Sequence, residues 1–389
     1  MKLVELTVEK TAFGGEGIAH LPGGKTCFVE GALPGETVSA EILFDKKNFV
    51  KARVKQVLQT SSDRVTPPCP YYDHCGGCQY QHASYAAELK FKEEQIRELL
   101  SRQAGLDPKL IAPIRFSPKE YGYRNSVTLH PMKEVLGFIG KDNRSVIPVK
   151  NCLLADERLQ PVFKLKLQKK KKADRVTFKL SEKGQIVSDL EETFFRIRVK
   201  EESFLVSSQG FFQNNLTVTE QVADQISRWV EETAPQEFFD LYAGVGIFSF
   251  LSAKHVPKIV CIEESAQSIQ ALKMNRDERK RPSMDILEGR VERMFPERFL
   301  KDTKSKSLIL MDPPRQGLDA GFARFLAEKT GVSSMIYLSC DPATLARDLK
   351  IILSGGHYRV TEAIPFDMFP RTAHMEVLVR LISLSSRTE

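Results

Sequence analysis

Two side chains in the C-terminal third are of the types that covalent chemistry needs. Cys340 stands in MIYLSCDPATLARDL, where an apolar run ends and a helix is expected to begin. Asp341 suits the cap of that helix and Pro342 its first turn. A helix N-terminus favours the thiolate, so Cys340 is expected to have a lowered pKa and to be nucleophilic. The plainer alternative is a half-buried cysteine closing a strand. Glu376, in FPRTAHMEVLVRL, opens the last apolar strand. A carboxylate among Met375, Val377 and Leu378 is paired, held protonated and ready to exchange its proton, or merely outward-facing. A cysteine and a carboxylate beside a methyl donor suit one reaction. Uracil C5 is a poor nucleophile until a thiolate adds to C6. The addition turns C5 into an enolate carbon that can take a methyl from a sulfonium. A base then removes the C5 proton and the thiolate leaves.

The donor would need a cradle, and ligands of α/β sheets sit beyond the carboxyl ends of the strands. FFDLYAGVGIF places Asp240 ahead of Gly244 and Gly246, which let the backbone turn tightly and approach a ligand. Glu263 follows nineteen residues after Gly244, the spacing of an acceptor for ribose hydroxyls. LILMDPPRQGL runs a strand into Asp312, stiffened by Pro313 and Pro314, a rigid edge able to offer acceptors to a flat base. These features fit S-adenosylmethionine and NAD alike. Ser249 occupies the place of the third dinucleotide glycine, and the methyl donor has no pyrophosphate to seat, which favours the methyl donor. A plain tight turn and a proline-stopped strand are the structural alternatives.

Residues 67–82, PPCPYYDHCGGCQYQH, hold Cys69, Cys75 and Cys78 in a loop rich in proline and glycine. In a reducing compartment such a Cys-x-x-Cys means metal or redox chemistry rather than a disulfide. Spacing alone leaves zinc and an iron–sulfur cluster both open.

These residues must be positioned by more than one unit, since 389 residues exceed one ordinary core. The net charge of +7 suits a polyanionic partner without requiring one. No apolar run approaches the roughly 18–20 residues of a membrane span, and MKLVELTVEKTAFGG has no signal-peptide core, so a cytoplasmic protein is expected. Residues 1–60 show five short β-rich runs between Gly-Gly, Pro-Gly and Asp-Lys-Lys-Asn turns, as a small OB-like barrel would. Lys51, Arg53 and Lys55 alternate along one run, giving either a phosphate-binding stripe or a solvated face. Residues 61–205 form a central α+β unit. It holds the cysteine loop, a helix over 84–104 with Leu89, Ile96 and Leu100 near one face, and the basic run KLKLQKKKKADR at 164–175. The helix can pack on the catalytic domain; the run reads as a solvated or an RNA-facing loop. From 206 to 389 seven apolar runs alternate with helical segments, the pattern of a Rossmann-like parallel sheet.

SCDPATLARDL, LILMDPPRQGL, DLYAGVGIFSF, FFQNN and HMEVL together resemble the RNA uracil-5-methyltransferases, a family of ribosomal and transfer RNA m5U enzymes. The first 60 residues resemble the TRAM RNA-binding domain. The resemblance implies a class I S-adenosylmethionine fold, Cys340 as nucleophile and Glu376 as base. It implies methyl-donor contacts at Gln213, Tyr242, Glu263 and Asp312, beside Gly244 and Gly246. It further implies a [4Fe-4S] cluster on Cys69, Cys75, Cys78 and the distant Cys152, with Cys27 and Cys261 left as core thiols. A cluster-bearing TRAM protein points to 23S ribosomal RNA; transfer RNA uridine-54 is the alternative. The chain departs from the family in carrying Asp341 where Asn is usual. Beside a thiolate a carboxylate would raise the thiol pKa unless the helix cap neutralises it. That departure leaves open an RNA-binding or RNA-folding protein with vestigial methyl transfer. YGYRNSV at 121–127, with Arg124 and its tyrosines, is expected near the RNA, and a monomer is expected.

Overall fold

The structure, a computed structural model, describes residues 2–166, 174–302 and 306–384. Most of the basic run at 164–175 lies outside the described residues. At the N-terminus six strands form one sheet: β1 (Leu3–Thr7), β2 (Lys10–Thr11), β3 (Gly17–His20), β4 (Thr26–Glu30), β5 (Thr37–Asp45) and β6 (Phe49–Gln59), ordered β1-β5-β6-β4-β3-β2. Alternate residues face inward and bury Leu6, Val29, Val38, Ala40, Val50 and Ala52. The strand beyond the expected five is β2, too short for alternation to register.

Helix α1 (Tyr85–Ala104) begins where Ser84 accepts a hydrogen bond from Ala87 N and ends on Gly105 at φ 69°. Its buried face differs from the expected one. Ile96 and Leu100 are buried, but Leu89 is only half-buried, and Glu88 and Lys92 take fully buried positions. They can do so because Lys92 Nζ donates to Glu88 at 2.7 Å and to Asp367, far along the chain, at 2.6 Å.

The central sheet is antiparallel: β7 (Ser126–Met132), β8 (Val135–Ile139), β9 (Val146–Pro148), β10 (Val176–Leu180) and β11 (Ile186–Ser188), ordered β11-β10-β7-β8-β9. The hairpin β12 (Phe194–Val199) and β13 (Glu202–Ser207) follows. Beyond α2 (Leu216–Thr233) come β14 (Glu237–Leu241), α3 (Ile247–Ser252), β15 (Lys258–Glu263), α4 (Ala266–Glu278), β16 (Met284–Glu288) and α5 (Val291–Asp302). The chain then forms β17 (Ser307–Met311), α6 (Ala320–Glu328), β18 (Val332–Ser339), α7 (Pro342–Ser354), β19 (Tyr358–Phe366) and β20 (Glu376–Ser383).

These seven strands order as β16-β15-β14-β17-β18-β20-β19, parallel from β16 to β18, with β20 antiparallel to both neighbours. Strand order reverses between β14 and β17, which opens a crevice at their carboxyl ends. Every residue of β14 and β17 is buried, which is why they read as continuous apolar runs. One apolar layer over the sheet includes Phe204, Trp229 and Phe250; the other includes Ile96, Phe322 and Leu345. The packing therefore does not follow a division at 205/206. The β12–β13 hairpin, through Phe195, Ile197 and Val199, and α1, through Ile96 and Leu100, both belong to the core of this sheet.

Candidate active site

A cavity of about 1080 Å³ opens at the carboxyl ends of these strands, and Gln213, Tyr242, Gly244, Glu263, Asp312, Cys340 and Glu376 all line it. On the donor side, Gly244 N donates to Glu263 Oε2 at 2.7 Å. Glu264 N and Ser265 N donate to Glu263 Oε1 at 3.0 and 2.8 Å. Three backbone donors thus fix this carboxylate, which keeps lone pairs for a ligand. Tyr242 adopts φ 63°, a costly conformation for a non-glycine residue, and its hydroxyl donates to Glu292 Oε1 at 3.1 Å. Gly246 stands behind the wall. At φ 83°, a Cβ there would come within 2.5 Å of Leu272 Cδ1, so its role is close packing. Ser249, in the place of a third glycine, donates to Asp240 Oδ2 at 2.5 Å beneath the loop. Burial pushes Asp240 up to about 7 against that hydrogen bond.

Gln213 reaches the cavity because FFQNN is a seam between two units. Asn125 Nδ2 donates to Gln213 O at 2.9 Å, and Asn215 caps α2 while donating to Met368 O at 3.1 Å. Gln213 Nε2 then stands 3.4 Å from Asp312 Oδ2. Burial, followed by the Asp240 and Glu263 carboxylates, pushes Asp312 up to about 7.

Across the cavity, Ser339 of β18 pairs with Val377 of β20, which brings Cys340 and Glu376 side by side at the next step of the register. Asp341 caps α7, accepting from Ala343 N at 2.9 Å and Thr344 N at 3.0 Å. The expected lowering of the Cys340 pKa does not hold. Burial, then the Glu376 and Asp312 carboxylates, pushes the thiol up to about 12, with Arg315 opposing. Burial and Asp312 likewise raise Glu376 well above the usual carboxylate range, with Arg315 again opposing, and among the described residues its Oε2 has no hydrogen-bond partner. Two further residues of this wall carry no sequence signal of their own. His374 is held neutral, down to about 4, by burial and then by Arg315, while Arg315 stands exposed at the rim. Asp240, Asp312, Cys340 and Glu376, all raised, thus line one pocket, which suits a ligand that brings a positive charge.

Cys69, Cys75, Cys78 and Cys152 line one small cavity of about 40 Å³. Gly76 N donates to Ile139 O at 3.0 Å and pins the loop to β8. Gln160 brackets Cys152, accepting from its N at 3.2 Å and donating to its O at 2.8 Å. Burial raises Cys69 and Cys75 and pushes Cys78 up to about 12. Among the described residues, no three His, Cys, Asp or Glu side chains converge as ligands of a single metal ion. The donor set is four thiols around one cavity, which in kind could ligate a metal centre.

Arg124, expected near the RNA, has a place in the interior as well. It lines the cysteine cavity, with its guanidinium 5.9 Å from the Tyr123 ring centroid. Tyr123 is buried, its hydroxyl donating to Pro370 O at 3.0 Å. YGYRNSV is thus largely an interior seam, since its polar atoms find partners there. Lys51, Arg53 and Lys55 do lie along one strand, but each pairs with a glutamate: Glu16, Glu30 and Glu41 respectively.

The profile of the tRNA (uracil-5-)-methyltransferases matches residues 153–383, more than half of the chain. The chain belongs to this family. It is an RNA (uracil-5-)-methyltransferase that draws on S-adenosylmethionine. A TRAM domain profile matches residues 2–55. Among similar curated proteins, an RNA methyltransferase of Thermotoga maritima, otherwise uncharacterised, is 28% identical over 98% of this chain and 99% of its own length. The 23S rRNA (uracil(1939)-C(5))-methyltransferase RlmD of Aliivibrio fischeri is 29% identical over 93% of this chain and 92% of its own. The solved tRNA (uracil-54, C5)-methyltransferase of Pyrococcus abyssi, in complex with S-adenosyl-L-homocysteine, shares the fold. Its TM-score is 0.74 at 20% identity, over 97% of this chain and 100% of its own. No helix among the described residues is long and apolar enough to cross a membrane.

Proposed function

We propose that this chain methylates C5 of a uridine in 23S ribosomal RNA through a covalent bond between Cys340 and C6. The placement of Cys340 beside Glu376, with Asp312 across the same cavity, carries this reading. When bound, S-adenosylmethionine supplies an electrophilic methyl on a sulfonium. A positive charge beside Cys340, Asp312 and Glu376 would offset the burial and like charges that raise them; it favours the Cys340 thiolate and the Glu376 carboxylate, whose protons leave to solvent before addition. Cys340 then adds to C6, and C5 bonds to the methyl carbon as the S–CH3 bond breaks. Glu376 takes the C5 proton, C5=C6 re-forms, the C6–S bond breaks and the Cys340 thiolate leaves. Gln213, Tyr242, Gly244, Glu263 and Asp312 hold the donor, with Gly246 setting the turn. Cys69, Cys75, Cys78 and Cys152 would hold a [4Fe-4S] cluster, which would tie the loop at 69–78 to Cys152. The choice of 23S RNA is supported by the RlmD relative, similar over nearly its whole length. Asp341, as a helix cap, gives the vestigial reading no support.

The test is incubation of anaerobically purified protein with methyl-labelled S-adenosylmethionine and unmodified 23S or transfer RNA transcripts, followed by digestion. Labelled 5-methyluridine from 23S RNA, absent with Cys340→Ala, is expected. Label in transfer RNA alone would replace the substrate; label in neither RNA, with the donor bound, would favour an RNA-binding role.

A further inference from the structure

We propose that Gln79, the residue after the last cysteine of the loop, is a positioning residue for the proton-accepting edge of the active site. The inference rests on the covalent mechanism above. The segment between β19 and β20 delivers His374 and Glu376 to the cavity. It takes its path from the cysteine loop. Arg371 O accepts from both Gln79 N, at 2.9 Å, and Tyr80 N, at 3.1 Å. The Gln79 side chain spans the remaining gap, its Oε1 accepting from Ala373 N and its Nε2 donating to Gly76 O, each at 3.0 Å. Tyr72 OH in turn donates to Gln79 O at 2.7 Å.

Arg371 needs this support. It sits at φ 68°, a conformation that persists only where the surroundings impose it. Its guanidinium is 5.2 Å from the ring centroids of both Tyr85 and Tyr121, and its N donates to Glu88 Oε1 at 2.8 Å. Among the described residues Glu376 has no hydrogen-bond partner at Oε2, so its backbone, which enters β20 from Ala373 and pairs with Phe366, sets where its carboxylate points. Cys340, by contrast, sits between the end of β18 and the capped α7, whereas the hydrogen bonds of Gln79 go to Gly76, Tyr72, Arg371 and Ala373. Addition therefore leans on the sheet, whereas proton removal leans on the sheet and also, through the segment that leads into β20, on the cysteine loop.

The step predicted to suffer is release. A base displaced by about 1 Å costs on the order of 10²-fold. In Gln79→Met, which removes both polar atoms, turnover is expected to fall by about that factor, and a denaturant-stable, methylated enzyme–RNA adduct is expected to accumulate. Gln79→Glu keeps the acceptor for Ala373 N and should restore release. Wild type and Glu376→Gln are run beside them on denaturing gels with labelled donor, with donor binding measured separately. Wild-type product and an adduct trapped in Glu376→Gln, with Gln79→Met turning over like wild type, overturns the proposal and leaves the mechanism standing. Loss of turnover in Gln79→Met without adduct, in step with lost donor binding, also overturns it, because Gln79 then serves only the fold. No adduct in Glu376→Gln overturns the mechanism itself and the proposal with it.

Discussion

Cys340 and Glu376 stand side by side because β20 runs antiparallel to β18, with Val377 paired to Ser339. In a parallel sheet every strand begins at the edge away from the site. Only a reversed strand can bring its first residue to the edge where the others end, and β20 begins with Glu376. Reversal of one strand thus supplies a carboxylate at the mouth of a cavity whose other walls are strand C-termini.

Asp341 accepts from two backbone N–H groups of α7, a task that asparagine performs about equally well. Asp341→Asn is expected to leave thermal stability and methylation close to wild type. Asp341→Ala should cost about 1 kcal/mol, read by denaturant titration. A large gain in rate for Asp341→Asn would mean that the carboxylate does act on the thiol.

Burial, then the Asp240 and Glu263 carboxylates, pushes Asp312 up to about 7, above the ~3.9 of a free aspartate. Between these values the folded chain binds more protons than the unfolded one, so this residue lowers stability as pH rises from about 4 to 7. Asp312→Asn removes the penalty. The variant should match wild type near pH 4 and exceed it at pH 8, by up to a few kcal/mol, while binding S-adenosylmethionine less well. Thermal melts across that range, with a donor titration at pH 8, check both halves.

Lys92 is fully buried between Glu88 and Asp367 and ties α1 to the segment before Glu376. Lys92→Ala leaves two buried carboxylates without their cation. A loss of about 3–5 kcal/mol in denaturant unfolding is expected.

Lys51, Arg53 and Lys55 pair with glutamates in contacts exposed enough to be worth little. Changing all three to Ala should therefore barely move stability. If they meet phosphates, RNA affinity falls and the slope of log affinity against log salt shrinks by about 2–3. An unchanged slope would leave them as a solvated face.

The strands of the catalytic sheet are legible in the sequence because buried parallel strands are written as unbroken apolar runs. Their ends are marked by Gly244, Glu263, Asp312 and Cys340. What depends on distant partners is not. The helix N-terminus beside Cys340 is a local signal and argues for a lowered pKa. Burial and the carboxylates of Glu376 and Asp312, brought in by other strands, reverse the sign. Leu89 is expected on the buried face of α1, but Asp367 lets Glu88 and Lys92 sit there instead. Arg124 reads as a surface cation in a tyrosine-rich stretch, yet it turns toward the thiols of Cys78 and Cys152. His374 and Gln79 gain their places only through the path between β19 and β20, which no local pattern records.

The most direct measurement uses RNA in which uridine is replaced by 5-fluorouridine. Fluorine at C5 cannot be removed by a carboxylate, so the adduct cannot collapse. With S-adenosylmethionine present, a denaturant-stable enzyme–RNA complex carrying one transferred methyl should form. Peptide mass spectrometry should place the bond on Cys340, and Cys340→Ala should form none. Methylation of natural RNA with no such complex, or a complex bonded through any other residue, would contradict the account.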